Sequence, residues 1–242
     1  RIVAREPGVL AGVQVAALAF KECDPKIRVQ VLKKDGQKFR RGDALLEVNG
    51  RAIPILSAER TALNFLRHLT GVATLTAKFV EKTKGTRAKI YDTRKTTPLL
   101  RDLEKYAVTR GGGKNHRRGL YDAVLIKDNH VAAAGSVRKA VWQARLRLGP
   151  RFPIQVECDT TQEVREALAA GADLILCDNM PPPLLRRVVR EVKGKIPVEA
   201  SGGVNLKIVR AIAKTGVDRI SVGAITHSAP QVDLALDYAG KK

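Results

Sequence analysis

From residue 86 onward, short apolar segments alternate with segments of helical periodicity, and this alternation restricts the possible folds more than any other feature of the chain. The apolar segments are RAKIYDT, DAVLIKD, PIQVECD, ADLILCDN, IPVEASGG and DRISVGA, with helical runs such as SVRKAVWQARLRLG and TTQEVREALAAG between them. Strands separated by helices pair in parallel. ALAAGADLILCDN and AIAKTGVDRISVGA also resemble each other, each with a glycine suited to a left-handed helix end, Gly171 or Gly216. The repeat favours a β/α barrel over an open sheet.

The first part of the chain has a different pattern. Residues 1 to about 55 are rich in strand signals, among them IRVQVL and ALLEVNG. A long helix is expected next, with Ser57 as its N-cap, Glu59 in its first turn, a break at Gly71 and an end at TKG. The chain therefore combines an α/β segment with a barrel.

Composition narrows the classes of function. The 242 residues have a formal net charge of +20, which suits binding to nucleic acid or to small polyanions, but aromatic residues for base stacking make up only 4%. Cys23, Cys158 and Cys177 are odd in number and show no CxxC spacing, which fits a reducing cytoplasm rather than a disulfide framework or a zinc site. No apolar run is long enough for a membrane span, and no signal peptide is visible.

The residues that follow the predicted strands are the candidates for chemistry, because the active sites of β/α barrels form at the C-terminal ends of the strands. Every readable strand ends in a polar residue or a glycine, which solubility alone does not require. A group of cationic donors suited to carboxylates or phosphates is expected near the first two strand ends. Its members are Arg94, Lys95, His116, Arg117 and Lys127.

The later strand ends have other chemistry. Glu157 and Asp178 are single carboxylates, and such hard oxygens suit Mg²⁺ held between carboxylates and a substrate phosphate. The last two strands are followed by SGGV and GAITHS, where backbone N–H groups often bind phosphate. These two stretches contain Ser201, Gly202, Gly203, Gly223, Ala224 and His227. Together the strand ends predict a site for two anionic substrates, one of them a phosphate ester with Mg²⁺.

Each of these signals has a structural alternative. Asp178 is equally suited to capping the helix after it, whereas the residues after Glu157 can cap the next helix in its place. A lone SGG is more often a turn, and His227 alone is more often a surface histidine. The residues expected to have structural roles only are His68, His130, Cys158 and Cys177.

Seven stretches have a common resemblance. They are ERTALNFLRHLTGVAT, DTRKTTPLLRDLEKYAV, GGGKNHRRGLYDAVLIKDNH, VECDT, CDN, EASGGV and VGAITHSAP. They closely resemble the quinolinate phosphoribosyltransferase family, from about residue 3 to the C-terminus. The resemblance implies a type II phosphoribosyltransferase fold of class α/β: an N-terminal α/β sandwich over residues 1–85, joined by residues 229–242, and an incomplete α/β barrel over residues 86–228. Members usually have a helical segment ahead of the stretch AREPGVLAG, and this sequence contains little of it.

The resemblance also implies an activity and roles for residues. The reaction would transfer phosphoribosyl from phosphoribosyl pyrophosphate (PRPP) to quinolinate with decarboxylation, giving nicotinate mononucleotide, pyrophosphate and CO₂ for NAD biosynthesis. The quinolinate-binding residues would be Arg94, Lys95, His116, Arg117 and Lys127, with Arg60 reaching the site of the partner subunit in a homodimer or larger assembly. Glu157 and Asp178 would hold Mg²⁺ and PRPP, and Lys95, Lys127, Glu157 and Asp178 are the catalytic candidates. Phosphate would lie against Ser201, Gly202, Gly203, Gly223, Ala224 and His227.

Three other readings remain at this point. One is a paralogue of the same fold, associated with molybdate transport, that acts on a different anionic base; the complete TRKT and NHR stretches with Arg60 favour the dicarboxylate instead. Another is a basic nucleic-acid-binding protein, which the scarcity of aromatic residues disfavours. The third is a phosphate-binding barrel isomerase, which gives no reason for so many cations at the strand ends.

Overall fold

A computed structural model describes residues 1–238 and divides the chain into two compact units. The first unit is Arg1–Lys78, Lys95–Gly113 and the chain from Ile225 onward, and the second is Phe79–Arg94 and Lys114–Ala224. Within the described residues, no helix combines the length and the apolar character that crossing a membrane requires.

The elements of both units follow one another in chain order. They are β1 (Ile2–Ala4), β2 (Gly8–Val9), α1 (Val13–Cys23), β3 (Arg28–Val31), β4 (Lys38–Phe39), β5 (Ala44–Asn49), α2 (Ala52–Thr83), β6 (Lys89–Tyr91), α3 (Arg101–Arg110), β7 (Val124–Ile126), α4 (Asp128–Ala134), α5 (Val137–Leu148), a 3₁₀ turn (Gly149–Arg151), β8 (Ile154–Cys158), α6 (Thr161–Ala169), β9 (Leu174–Asp178), α7 (Pro182–Val192), β10 (Val198–Ser201), α8 (Val209–Ala213), β11 (Arg219–Ser221), α9 (Ala224–His227) and β12 (Leu234–Leu236).

The first unit is built on an antiparallel sheet with the strand order β12-β1-β5-β3, and β2 pairs with β4 beside it. Its core contains apolar side chains of the sheet together with the buried faces of α1 and α2. The helix α1 lies within residues 1 to about 55, which the sequence indicated as rich in strands. Its buried residues Val13, Ala16 and Phe20 recur at helical spacing.

The long helix α2 differs from its prediction at two places. It begins at Ala52, so Ser57 is not the N-cap and Glu59 is not in the first turn; the Ser57 hydroxyl instead donates to the carbonyl of Ile53. The helix also continues through Gly71, where a Cβ atom would collide with the carbonyl of Pro230. Gly71 is therefore a point of close backbone approach rather than a break, while the predicted end at residues 83–85 is confirmed.

The second unit contains six parallel strands in the order β6-β11-β10-β9-β8-β7. The order follows the chain around a ring, because the first strand, β6, neighbours the last, β11. Among the described residues no pairing joins β6 to β7, and on that side Lys114 forms a parallel bridge with Tyr91 of β6. The arrangement is an incomplete α/β barrel, as predicted, and Gly171 and Gly216 have the expected left-handed φ of 80° and 92°.

The compact units divide the chain at different residues from the predicted domain ranges, which stay a prediction. Residues 95–113 belong to the first unit, where Gly111 of the turn after α3 lies against the Ala73 carbonyl of α2 so closely that a Cβ would not fit. The C-terminal strand β12 pairs with β1, in keeping with a contribution of the C-terminal residues to the first unit. Of the range 229–242 expected there, residues 239–242 lie outside the described part.

Candidate active site

The strand ends of the second unit lie along one edge, because all six strands are parallel. Ser201 at the end of β10 is directly opposite Asp178 at the end of β9. Glu157 lies on the neighbouring strand, β8, one residue before its end. The short helix α9 and the loops after β6 and β7 begin at the same edge. Glu157, Asp178 and Ser201 therefore lie at or one residue before the ends of their strands.

The guanidinium of Arg117 lies within the electrostatic influence of Arg94, which follows β6. Burial lowers the pKa of Arg117, and the positive charge of Arg94 lowers it further, while the carboxylates of Asp122 and Glu157 act in the opposite sense. The Arg117 side chain also donates to the carbonyl of Ala123 at 3.2 Å. Two like charges so placed generate a strong positive potential, and an anion is the ligand that relieves their repulsion.

His116 lies beside this pair and is held from both sides of its ring. Its Nδ1 accepts the backbone N–H of Arg117 at 2.8 Å, and its Nε2 lies 3.4 Å from Oε1 of Glu199. Its own backbone N–H donates to Oδ1 of Asp92 at 2.7 Å, and Asp92 is fully buried. The loop that presents Arg117 is therefore fastened to buried acidic residues of the barrel.

Lys127 and Glu157 form an ion pair between the ends of β7 and β8. The Lys127 Nζ lies 3.0 Å from Oε2 and 3.2 Å from Oε1 of the carboxylate. About half of the Lys127 side chain is exposed, while Glu157 is more enclosed. The pair places a cation between the arginines and the later carboxylates, and it leaves the ammonium group accessible to a ligand.

Asp178 is fixed by the residue that follows it. The side-chain amide of Asn179 donates to Oδ2 of Asp178 at 2.7 Å, and the Asn179 backbone N–H donates to the carbonyl of Ser201 at 2.9 Å. Asn179 has a left-handed φ of 49°. The next helix, α7, has Pro181 as its N-cap, so Asp178 is not a capping residue and that structural alternative is excluded.

The SGG turn after β10 is shaped by two left-handed residues. Gly202 has a φ of 91°, and a Cβ there would lie 2.8 Å from the backbone nitrogen of Asn179 and would overlap its side chain. Gly203 has a φ of 59° and open space where its Cβ would point. At the same edge, Gly223 lies between β11 and α9, and Ala224 is the first residue of α9. The binding of phosphate by Ser201, Gly202, Gly203, Gly223 and Ala224 stays a prediction.

The first unit contains the remaining candidates. The Lys95 carbonyl accepts the hydroxyl of Thr226 at 2.6 Å, and Nδ1 of His227 is 2.6 Å from the hydroxyl of Ser228. Arg60 is exposed on α2, opposite the buried face at Ala58, Ala62 and Leu63, and it makes no ion pair or hydrogen bond within residues 1–238. Its predicted role at a partner's site stays a prediction.

The donors near Asp178 suit a divalent cation that is held chiefly by its substrate. Burial raises the pKa of Asp159, and the nearby carboxylates of Glu163, Asp178 and Asp128 raise it further. Negative charge is thus concentrated on this side of the edge. Within the described residues, however, no three acidic, histidine or cysteine side chains are grouped to hold a metal. Mg²⁺ fits such a place, because it commonly takes one or two carboxylates, waters and substrate phosphates.

The residues expected to be structural have structural contacts. His68 pairs with the fully buried Glu104 at 2.8 Å within the first unit. His130 accepts the backbone N–H of Lys127 at the start of α4, at 3.0 Å. Cys158 and Cys177 are buried on adjacent strands, and burial raises the pKa of both thiols. Thr160 and Glu163 form the N-terminal cap of α6, which leaves Glu157 free of that role, as expected.

Sequence reasoning missed three residues that organise the edge: Asp92, Asn179 and Glu199. Asn179 is the residue of CDN that joins Asp178 to the SGG turn. The only sequence signal for its left-handed φ is that asparagine adopts this region more often than most residues do. Glu199 did leave a signal, since an acidic residue in the middle of the apolar strand IPVEASGG must have buried partners.

Comparisons with known proteins agree over nearly the whole chain. The models of the N-terminal and C-terminal domains of quinolinate phosphoribosyl transferase match residues 1–70 and 72–237. The probable carboxylating nicotinate-nucleotide pyrophosphorylase of Bacillus subtilis is 44% identical over 236 residues, which are 98% of this chain and 82% of that protein. The Mycobacterium leprae enzyme of that name is 46% identical over 241 residues, covering 98% and 84%.

Solved structures give the same result. NadC from Streptococcus pyogenes is 41% identical with a TM-score of 0.94, over 98% of this chain and 84% of that one. The nicotinate-nucleotide pyrophosphorylase from Ehrlichia chaffeensis is 42% identical with a TM-score of 0.94, over 98% and 86%.

Proposed function

The chain belongs to the quinolinate phosphoribosyltransferase family, and from this premise we propose how its residues carry out the reaction. The enzyme transfers the phosphoribosyl group of PRPP to quinolinate and releases CO₂ and pyrophosphate, which gives nicotinate mononucleotide for NAD biosynthesis. The observation that supports the site is the division of one strand edge into a cationic side and a carboxylate side.

Quinolinate occupies the cationic side. It has two adjacent carboxylates, and the neighbouring guanidinium groups of Arg94 and Arg117 offer paired donors for planar anions. The family resemblance also assigns Lys95, His116 and Lys127 to quinolinate. The accessible ammonium of Lys127 exchanges part of its contact with Glu157 for a quinolinate carboxylate.

PRPP occupies the carboxylate side. Glu157 and Asp178 face its ribose and pyrophosphate, and its 5′-phosphate lies against the backbone of the two glycine-containing turns. The proposed phosphate contacts are Ser201, Gly202, Gly203, Gly223, Ala224 and His227. The left-handed glycines of the SGG turn support this assignment, because they allow close approach of a phosphate to the backbone.

Magnesium is the proposed cofactor. Glu157 and Asp178 would hold Mg²⁺ together with substrate oxygens, and when bound the ion neutralises negative charge on the pyrophosphate. The concentration of carboxylates around Asp159 and Asp178 supports a cation at this place. The described residues contain no group of three metal ligands, and the proposed site does not need one, because the substrate itself supplies oxygen ligands.

The chemistry proceeds in two steps. The pyridine nitrogen of quinolinate attacks C1 of the ribose while the C1–O bond breaks and its electron pair leaves with pyrophosphate. Positive charge develops on the ribose, and the carboxylate of Glu157 or Asp178 stabilises it. The adduct then breaks the bond between its ring carbon and the carboxylate next to the nitrogen. CO₂ leaves, the cationic ring nitrogen stabilises the electron pair, and a proton from water completes nicotinate mononucleotide.

The protein's contribution to these steps is placement and charge. No side chain has to form a covalent intermediate. Bringing two polyanions into contact is strongly unfavourable without compensating cations, and the arginine pair with Lys127 supplies them at the point of reaction.

We also propose a homodimer or larger homo-oligomer in which Arg60 completes the site of a neighbouring subunit, and a cytoplasmic location. The exposure of Arg60, without an ion pair in its own described chain, supports the first. The three free cysteines agree with the second.

Substrate choice tests the acid-binding side. Purified protein is mixed with PRPP, Mg²⁺ and either quinolinate or nicotinate, and formation of nicotinate mononucleotide is measured. We expect Mg²⁺-dependent turnover with quinolinate and much lower kcat/KM with nicotinate, because the missing carboxylate leaves cations unpaired. Equal kcat/KM for the two acids would contradict the assignment and would favour the paralogue that acts on another base.

Two variants test the division of the site. Arg94→Ala should weaken quinolinate binding far more than PRPP binding, and Asp178→Ala should have the reverse effect, as measured by calorimetric titration of each ligand. Arg190→Ala is the matched control, since Arg190 is exposed in the last turn of α7, away from the strand ends. Similar losses for both ligands in both variants would show that the edge is not divided in this way.

A further inference from the structure

Glu199 is a buried carboxylate inside the barrel that the proposed chemistry does not use. It lies in the middle of β10 with no exposed surface. Gln155 of β8 donates to its Oε2 at 3.0 Å, Ser221 of β11 donates to its Oε1, and Nε2 of His116 is 3.4 Å from the same Oε1. The carboxylate thus contacts side chains from two other strands and from the loop that contains Arg117.

The carboxylate is ionised in this place. Burial alone raises the pKa of Glu199, but hydrogen bonds from His116, Ser221 and Gln155 outweigh burial and lower it overall. A buried anion is stable only when its oxygens are satisfied in this manner. All three partners present a proton to Glu199, so each has its donor atom turned toward the carboxylate.

The contacts of His116 determine which of its ring nitrogens carries the proton. Nδ1 accepts the backbone N–H of Arg117 and so has no hydrogen of its own. The proton is therefore on Nε2, which faces Glu199. With both ring nitrogens occupied inside the protein, and with only 11% of the His116 side chain exposed, neither nitrogen is available to quinolinate in this arrangement.

We propose that Glu199 is a positioning residue for quinolinate: its carboxylate fixes the Nε2–H form of His116, and His116 in turn fixes the backbone that presents the Arg117 guanidinium. His116 then acts through Arg117 rather than by direct contact with the acid. This inference rests on the proposed assignment of Arg117 to quinolinate. It predicts an effect confined to the acid side, because the Glu199 contacts do not include Asp178 or the SGG turn.

The ring proton can be observed in the unaltered protein. The chain has four histidines, so ¹⁵N–¹H correlation spectra of the imidazole groups are simple, and the His116 signals are assigned by their loss in His116→Gln. We expect a proton on Nε2 and an unprotonated Nδ1 in the folded enzyme. A proton on Nδ1 would overturn the proposal, whatever the variants do.

Variants separate positioning from general stability. Glu199→Ala should raise KM for quinolinate by about tenfold and leave KM for PRPP and kcat within about twofold, since only the acid-binding donor is displaced. Glu199→Gln should keep the Nε2–H form and recover most of the quinolinate affinity, because its amide oxygen still accepts the proton. Ser221→Ala is the matched control: it removes a partner of the same carboxylate without touching His116, and KM for quinolinate should not change.

If Glu199→Ala does not fold, Glu199→Asp provides the same test, because its shorter side chain keeps the charge and withdraws it from His116. Equal increases in KM for both substrates would overturn the proposal. An unaltered protein that does not convert quinolinate at all would instead contradict the proposed function, so the two failures are distinguishable.

Discussion

Replacing Gly202 by alanine should destabilise the enzyme through two separate effects. Its φ of 91° belongs to the left-handed side of the backbone map, which side chains rarely adopt. In addition, an added Cβ would lie 2.5 Å from Cγ of Asn179 and 2.8 Å from the Asn179 backbone nitrogen. That nitrogen is bonded to the Ser201 carbonyl at 2.9 Å, so relief requires a shift of the β9 and β10 ends.

The magnitude follows from these two effects. A non-glycine residue in a left-handed conformation costs about 1–2 kcal/mol. Overlap in a well-packed place adds about 1–3 kcal/mol, because neighbouring atoms have to move. Gly203→Ala provides the matched control, since Gly203 has a φ of 59° and no atom within 4 Å of the added Cβ. We expect Gly203→Ala to have the conformational cost alone, so that the two variants differ by about 2 kcal/mol.

The assay is urea or thermal unfolding followed by far-ultraviolet circular dichroism. For a chain of this size, a difference of about 2 kcal/mol separates the two values of Tm by about 4–8 °C. A double variant locates the overlap: in an Asn179→Gly background the side-chain collision disappears, and the cost of Gly202→Ala should fall by about 1–2 kcal/mol. Equal losses for Gly202→Ala and Gly203→Ala would refute the reasoning, as would no relief by Asn179→Gly.

Three other predictions concern the assembly and the thiols. The inactive variants Arg60→Ala and Lys127→Ala can be unfolded and refolded together in equal amounts. Activity should return to about a quarter of the wild-type value, because half of the dimers are mixed and each mixed dimer has one intact site. Mixed dimers that are seen by mass spectrometry but are inactive would contradict the role of Arg60. Iodoacetamide at pH 8 should label Cys23 alone, since Cys23 is exposed while burial raises the pKa of Cys158 and raises that of Cys177 to about 12. Unfolded thiols ionise above about pH 8.5, so the unfolded chain then binds fewer protons and the free energy of unfolding should fall as the pH rises from there towards 12. Urea unfolding at pH 8 and pH 10 measures the fall, which should be smaller in Cys177→Ala.

The barrel strands were predictable because each contains a short apolar run that is followed by a polar residue or a glycine. The strand in PIQVECD, for example, became β8, with Glu157 near its end. The strand ends mark the site because parallel strands present their C-terminal ends together. Even without contacts, the sequence thus located the carboxylates and the cationic loops along one edge.

The helices of the first unit were less predictable for reasons that are local. α1 has the left-handed Gly12 as its N-cap, which has no side chain to cap the helix; the N–H groups of Gly12 and Val13 donate instead to the carboxylate of Asp35, so the usual local start signal is absent. Serine is a common N-cap residue, but Ser57 lies inside α2, where its hydroxyl donates to the carbonyl of Ile53 instead. Gly71 resembles a helix breaker and is explained only by a backbone carbonyl far away in sequence.

Contacts between distant segments also explain what was missed at the site. The left-handed Asn179 and the need for glycine at residue 202 depend on each other, and neither is visible without the other's coordinates. Similarly, the role of Glu199 becomes apparent only in the structure, where Gln155, Ser221 and His116 surround its carboxylate. Sequence patterns identify which residues have the right chemistry, whereas orientation arises from pairs separated by many residues.

The pairing of β1 with β12 affects the order in which the first sheet can form as well as its stability. Residues 2–4 are synthesised long before their partners at 234–236. The strands β1, β3 and β5 can pair early, but the edge of the sheet at β1 stays open to other chains until residues 234–236 have been synthesised. Completion of the sheet must therefore await the synthesis of β12, and until then the unpaired edge of β1 exposes the chain to aggregation.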